Sequence, residues 1–321
     1  MQNWMKAAAI MACIAALLAG CGAKTPAESQ QPEEEPVQET PAEETKPDIT
    51  LEQVMEANKI ENLLENHNVV QIKTSLYEQE GDETPISTIK SQYTMENGYL
   101  QMYRVFSDRD GGSYYEEGRA DGTYSGALYA MNSDGSDKYM TICPADEYAS
   151  IVTEADRVDP PEGAEETTTD ASWQDGTAVL TAKVTYRDEA DTYDVVYYFA
   201  DPDTCELLAV NTYSYSTADD APMGVTQEVY TYDAAEEREA SPFQAIITDK
   251  DYCELNVIVD YMGENQAVYW YPVAHDTQAY FQTNRMEYSL YGDEAMTKAL
   301  DKSDAINVSG DAANLFVVYG K

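Results

Sequence analysis

The sequence predicts a mainly β protein of the α+β class: an antiparallel sheet led by one helix, with a small β module at the C-terminal end. Three observations carry this. Apolar residues recur at helical spacing chiefly near the front, from Leu51 to Leu64, and alternate with period two through much of the remaining chain. The alternating runs are separated by Asn97-Gly98, Asp110-Gly111-Gly112, Asp121-Gly122 and Asp134-Gly135, turn sequences that hairpins favour. Tyrosine is abundant, at 26 residues against 5 phenylalanines, and tyrosine fits a pleated, half-buried surface.

The first segment stands outside that fold. One charge, Lys6, precedes an apolar stretch from Ala7 to Leu18, and Leu18-Ala19-Gly20-Cys21 comes next. This reads as a secretory signal peptide over residues 1–20, too short for a permanent span. An ordinary signal needs only small residues at its cut, whereas this one ends in a cysteine. Residues 1–21 resemble bacterial lipoprotein signals. The resemblance implies cleavage before Cys21, diacylglycerol on its sulfur, and an extracytoplasmic protein anchored to the cell membrane by that lipid. Two acyl chains, at about 0.8 kcal/mol per buried CH₂, hold a protein on a membrane where one does not.

Residues 21–49 form a tether behind the lipidated cysteine. Residues 24–48 contain Pro26, Pro32, Pro36, Pro41, Pro47 and the run Glu33-Glu34-Glu35, with no aromatic residue. Such a stretch buries too little apolar surface to offset its ordering entropy. Extended, it reaches about 75 Å, enough to lift a domain clear of a membrane.

The folded part is expected as two units, residues 50–245 and 250–321. Thr50-Leu51-Glu52-Gln53 is a capping-box pattern that opens a helix over 50–66. Its apolar stripe is Leu51, Val54, Met55, Ile60, Leu63 and Leu64, and Asn66-His67-Asn68 ends it. Val70, Ile72, Thr74 and Leu76 then alternate as a strand. Extended runs come at 86–95, 99–107, 112–118, 123–131 and 138–143. A short helix is expected within 144–155, with Tyr148, Ile151, Val152 and Ala155 on one face. Residues 159–170 are acidic and contain Pro160-Pro161, which predicts a surface loop. Strands resume at 177–187, 193–200, 206–215 and 225–233. Asp249-Lys250-Asp251 marks a junction, after which 255–260, 266–271 and 314–319 read as strands.

Two further resemblances rest on particular residues. Glu56-Ala57-Asn58 with Leu63-Leu64, and Tyr198-Phe199-Ala200-Asp201-Pro202-Asp203-Thr204 followed by Glu206-Leu207-Leu208, resemble the outer-membrane lipoprotein carrier fold and its relatives among Gram-positive lipoproteins. The likeness spans residues 50–240. It implies a curved antiparallel sheet or half-barrel around an N-terminal helix, with a hydrophobic cavity for acyl chains or another apolar ligand. This sheet departs from that pattern in being rich in tyrosine and poor in phenylalanine. The segment Tyr288-Ser289-Leu290-Tyr291-Gly292-Asp293-Glu294-Ala295, with the terminal run Asn314 to Tyr319, resembles the small β-grasp-like Listeria–Bacteroides repeat, although the usual Gly-Thr pairs are absent. That likeness implies a spacer or protein-contact module.

Charge narrows the function classes. The formal net charge is −41, so nucleic-acid binding, which needs a basic footprint, is excluded. Direct docking on anionic lipid is disfavoured, which leaves anchoring to the lipid on Cys21. Cys143, Cys205 and Cys253 match no metal-binding spacing. One pair could bridge in an oxidising compartment, or all three could pack as small apolar residues.

No catalytic constellation appears, so no enzyme, cofactor or metal is expected. His67 sits at a helix end and His275 precedes Asp276 in a loop; neither completes a triad. Ser87-Thr88-Ile89-Lys90 matches an SxxK pattern, but on a strand Ser87 and Lys90 face opposite ways. Asp108-Arg109-Asp110-Gly111-Gly112 and Asn132-Ser133-Asp134-Gly135-Ser136-Asp137 begin like calcium loops. Their twelfth positions, Arg119 and Cys143, carry no carboxylate, and hairpin turns explain them better.

The remaining signal is aromatic: Tyr114-Tyr115, Tyr197-Tyr198, Tyr213 with Tyr215, Tyr230 with Tyr232, and Tyr269-Trp270-Tyr271. Such residues serve either a ligand-contacting surface or cross-strand packing. The expectation is a non-catalytic lipoprotein that binds an apolar or amphiphilic ligand. The alternative is a scaffold contacting another envelope protein through tyrosine-rich faces. In the resembled fold the helix stripe (Leu51, Val54, Met55, Ile60, Leu63, Leu64) closes over the concave sheet, with Ile72, Leu76, Val195, Tyr197 and Phe199 behind it. These residues are the candidate cavity.

Overall fold

The computed structural model describes residues 46–153, 164–186, 192–217, 222–234, 241–260 and 266–320. Cys21 and residues 24–45 of the tether lie outside these. No helix among the described residues is long and apolar enough to cross a membrane.

Thr50 caps the first helix, α1 (Leu51–Ala57), as the sequence predicts. Its hydroxyl accepts from the Gln53 amide while its own amide donates to the Gln53 side chain. The single expected helix is instead two. The chain breaks at Asn58 and Lys59, and α2 (Ile60–Asn66) comes after. Asn58 explains the break. It is 2% exposed, and its amide nitrogen donates to the carbonyls of Val54 (2.7 Å) and Cys205 (2.9 Å). Its oxygen accepts from the Leu207 amide at 2.8 Å. A buried polar side chain needs such partners, and here two of the three, Cys205 and Leu207, belong to a distant part of the chain.

Among the described residues, 12 strands form one curved sheet that does not close. The first meander is β1 (Val69–Tyr77), β2 (Ser87–Glu96), β3 (Tyr99–Asp108), β4 (Ser113–Arg119), β5 (Ala127–Asn132) and β6 (Tyr139–Ile142). The second is β7 (Ala164–Gln174), β8 (Thr177–Tyr186), β9 (Thr192–Ala200), β10 (Leu207–Ser216) and β11 (Pro222–Tyr232). They join through antiparallel β1 and β11, with Val70 opposite Tyr232. Residues 164–170, expected as loop, belong to β7 instead. An edge strand tolerates their acidic side chains because one side stays solvated.

The helices lie on one face of this sheet. Val54, Ile60 and Leu63 share a core with Val70, Ile72, Tyr93, Met102, Tyr198, Leu207 and Tyr232. A third helix, α3 (Tyr148–Thr153), adds Tyr148, Ile151 and Val152 to the same core. It sits so close to the sheet that a Cβ on Gly126 would lie 2.0 Å from the Tyr148 ring.

The opposite face of β5 and β6 is covered by the C-terminal segment. Helix α4 (Pro242–Asp249) leads into β12 (Tyr252–Asp260) and β13 (Gln266–Ala274). These join β15 (Tyr288–Tyr291), β16 (Ala299–Leu300) and β17 (Ala312–Tyr319) in the order β13-β12-β17-β15-β16, with β12 and β17 parallel. Of the expected junction 249–251, Asp249 ends α4, Lys250 is left-handed, and β12 begins at Tyr252. Yet β14 (Gln278–Phe281) returns to pair in parallel with β6. Leu255, Val257, Tyr271 and Val317 share one core with Tyr129, Met140 and Ile142 of the large sheet.

Candidate functional site

The predicted cavity residues divide into three groups. Val54, Ile60, Leu63 and Ile72 are buried against the sheet tyrosines, and Leu51, Met55 and Leu64 pack partly buried on the same core. The helix stripe is therefore packed interior. Leu76 lies on the same face as Ile72, beyond the helices, and is 39% exposed. Val195, Tyr197 and Phe199 face away. On β9 it is Val196, Tyr198 and Ala200 that join the helix-covered core, while Phe199 packs with Val179, Ala209 and Tyr197 on the other side. A one-residue change of phase exchanges the two faces of a strand. In this strand both phases are apolar or aromatic, so alternation could not choose between them.

Beyond the helix-covered core the inner face continues with half-buried side chains. Thr74, Ile89, Phe106, Tyr114 and Asn132 lie side by side across β1 to β5. The rings of Phe106 and Tyr114 stack with centroids 4.3 Å apart and planes 14° from parallel. Beside them lies a cavity of about 590 Å³. Ser87, Phe106, Ser107, Asp108, Ser113, Tyr114 and Asn132 contribute from the strands, and the turns after β3 and β5 supply Gly111, Gly112, Ser133 and Asp134.

Those turns are the two sequences that begin like calcium loops. Both are hairpin turns held from within, with Gly111 at φ +90° and Gly135 at φ +80°. Asp108 Oδ1 accepts from the Gly112 amide at 2.7 Å, and Asp134 Oδ1 from the Ser136 amide at 2.9 Å. Among the described residues no group of His, Cys, Asp and Glu could hold a metal ion.

A buried polar row lies beside the aromatic pair on the same face, one side-chain row along β2 to β4. Tyr114 donates its hydroxyl to Glu116 Oε1 at 3.4 Å, and Glu116 Oε2 accepts from Arg104 Nη1 at 2.9 Å. Arg104 also donates to Ser91 Oγ (3.2 Å), Tyr93 Oη (3.0 Å) and the Val152 carbonyl of α3 (3.4 Å). Burial, then the Glu116 charge, pushes the Tyr114 phenol up, so it remains a neutral donor. An ion pair this deep persists because nearly every donor is matched. The sequence signal for it exists: Arg104 falls in phase with Leu100, Met102 and Phe106, the inward positions of β3.

The tyrosines mostly serve packing. Tyr193 stacks on Tyr215 at 5.3 Å, and Tyr197 meets Tyr213 edge-on at 5.7 Å. Tyr232 donates to the Leu207 carbonyl at 2.6 Å, and Tyr271 to that of Cys143. His67 caps α2 as its position implies and also bridges two acids. Nδ1 lies 2.9 Å from Asp233 Oδ2, Nε2 lies 3.0 Å from Glu206 Oε1, and the ring stacks on Tyr232. Burial pulls its pKa down, but the hydrogen bonds and charges of Asp233 and Glu206 outweigh burial and leave it raised. Cys143, Cys205 and Cys253 are all free thiols, so no pair among them bridges.

No known protein-family profile matches this sequence, and no curated protein does. Among solved structures the chain is similar to lipoprotein LppX of Mycobacterium tuberculosis, at 11% identity and TM-score 0.31, over 59% of this chain and 98% of that one. It is also similar to the MucA/MucB complex of Pseudomonas aeruginosa, at 18% identity and TM-score 0.31, over 60% of this chain and 59% of the other. A LolA superfamily protein from Nitrosomonas europaea matches at 10% identity and TM-score 0.19, over 62% and 97%. These likenesses are loose and assign no activity to this chain.

Proposed function

We propose that this protein is a non-catalytic extracytoplasmic lipoprotein, held to the membrane by lipid on Cys21, that binds an amphiphilic ligand at the open end of its curved sheet. One observation carries the reading. Part of the inner face is packed under α1, α2 and α3, and beyond that core its aromatic residues Phe106 and Tyr114 line a cavity of about 590 Å³. Ligand sites commonly fall between about 300 and 1,000 Å³ and combine apolar lining with a few polar groups. The scaffold reading has less support, because Tyr193, Tyr197, Tyr213 and Tyr215 contact one another within the sheet.

The test is a titration of the mature protein with the neutral fluorescent probe N-phenyl-1-naphthylamine. Saturable binding to one site, weakened at least tenfold by Phe106→Ala, supports the reading. Absence of saturable binding, or binding that Phe106→Ala leaves unchanged, refutes it.

A further inference from the structure

We propose that the ligand of this cavity carries a cationic head, a primary amine or a quaternary ammonium, seated beside Phe106 and Tyr114 between Asp108 and Asp134. This rests on the reading that the cavity is a binding site, and it adds the class of head group.

The charges around the cavity are of one sign. Asp108 and Asp134 line it, Asn132 adds an amide, and no lysine or arginine is among the lining residues. Arg109 and Lys138, near the lining turns in sequence, are directed elsewhere. Arg109 turns to the Thr84 carbonyl (3.3 Å) and toward Glu78 (3.7 Å). Lys138 pairs with Asp276 at 2.5 Å. Arg104 neighbours Phe106 on the same face of β3, but its guanidinium is paired with Glu116.

The geometry suits a compact cation. Asp108 folds over its own turn to accept from the Gly112 amide, an approach open because Gly112 lacks a Cβ; one there would lie 2.3 Å from Asp108 Oδ2. A carboxylate held by one such bond keeps further lone pairs for a ligand donor. Phe106 and Tyr114 supply π-electron density, which attracts a cation within about 6 Å of a ring centroid. Neighbouring acids make the same site repel sulfate or phosphate groups. A hydroxylated neutral head would gain the hydrogen bonds but not the charge attraction.

Calorimetric titration of the full mature chain with three dodecyl amphiphiles separates these cases: trimethylammonium, maltoside and sulfate heads, each below its micelle concentration, in 150 mM salt. The expected order is ammonium tightest, with about a fivefold margin over maltoside, which corresponds to about 1 kcal/mol. Asp108→Asn should remove that margin. Phe106→Ala should weaken all three without changing net charge, with Phe106→Leu as the conservative control and thermal unfolding as the check on folding. Equal affinity for ammonium and maltoside would overturn the cationic-head inference and leave the binding-site reading standing. Ammonium binding that Phe106→Ala does not alter would be diffuse attraction to an acidic chain and would also overturn it. No saturable binding of any probe would overturn both.

Discussion

Leu63 distinguishes packed interior from ligand cavity. Its side chain is 1% exposed and joins α2 to Val70, Ile72 and Tyr93 on the sheet. Cutting it to alanine removes apolar contacts and leaves a void that rigid β1 and β2 cannot close. Comparable truncations cost 2–5 kcal/mol, and near-complete burial places this one at about 3–4 kcal/mol. For a chain of this size that lowers Tm by about 6–16 °C. The opposite change, Leu63→Trp, adds volume at a position buried in the core and should cost about 1–3 kcal/mol or more relative to wild type. Urea unfolding of both variants, followed by circular dichroism, reads the two costs. If Leu63→Ala costs under about 1 kcal/mol, well below the usual range for a buried leucine, or Leu63→Trp is as stable as wild type, space exists under the helices and the ligand belongs there instead.

Four more perturbations probe the supports of the site. Glu116→Gln leaves Arg104 charged and buried beneath α3; removing one member of such a pair costs about 3–5 kcal/mol, and unchanged urea stability would contradict this. Gly126→Ala should dislodge the Tyr148 ring and lose its hydroxyl bond to the Leu100 carbonyl, lowering stability by about 1–3 kcal/mol; a wild-type Tm would count against the close packing. Because His67 gains its carboxylate partners on folding, its raised pKa contributes stability that is full below the unfolded value of 6.5 and fades as pH rises through the folded value. His67→Gln should therefore cost more at pH 5.5 than at pH 8.5, whereas equal costs would contradict the bridge. Ending the chain at residue 249 bares Tyr129, Met140 and Ile142, so the shortened protein should bind hydrophobic dye and melt lower; an unchanged transition would show two independent units.

Much of the sheet is legible from local rules, and the departures have physical causes. Asn97-Gly98 and Asp134-Gly135 mark hairpins because positive φ is a property of a residue and its neighbour. The break at Asn58 depends on Cys205 and Leu207, groups far along the chain. The face of β9 is open to either choice because Tyr193, Val195, Val196, Tyr197, Tyr198 and Phe199 are apolar or aromatic in both phases. Strand β14 is 4 residues long and pairs in parallel across a long connection, which gives no local pattern. The cavity forms where two turns separated in sequence meet over Phe106 and Tyr114, so its parts are visible in the sequence and their meeting is not.

The location of the ligand is the central claim, and photocrosslinking tests it directly. A dodecyl probe with a terminal diazirine, irradiated with the mature protein and mapped by peptide mass spectrometry, should label the β3–β4 hairpin around Phe106 and Tyr114. Unlabelled amphiphile should compete that labelling away. Competed labelling on α1 and α2, over residues 51–66, would contradict the account and return the site to the helix stripe.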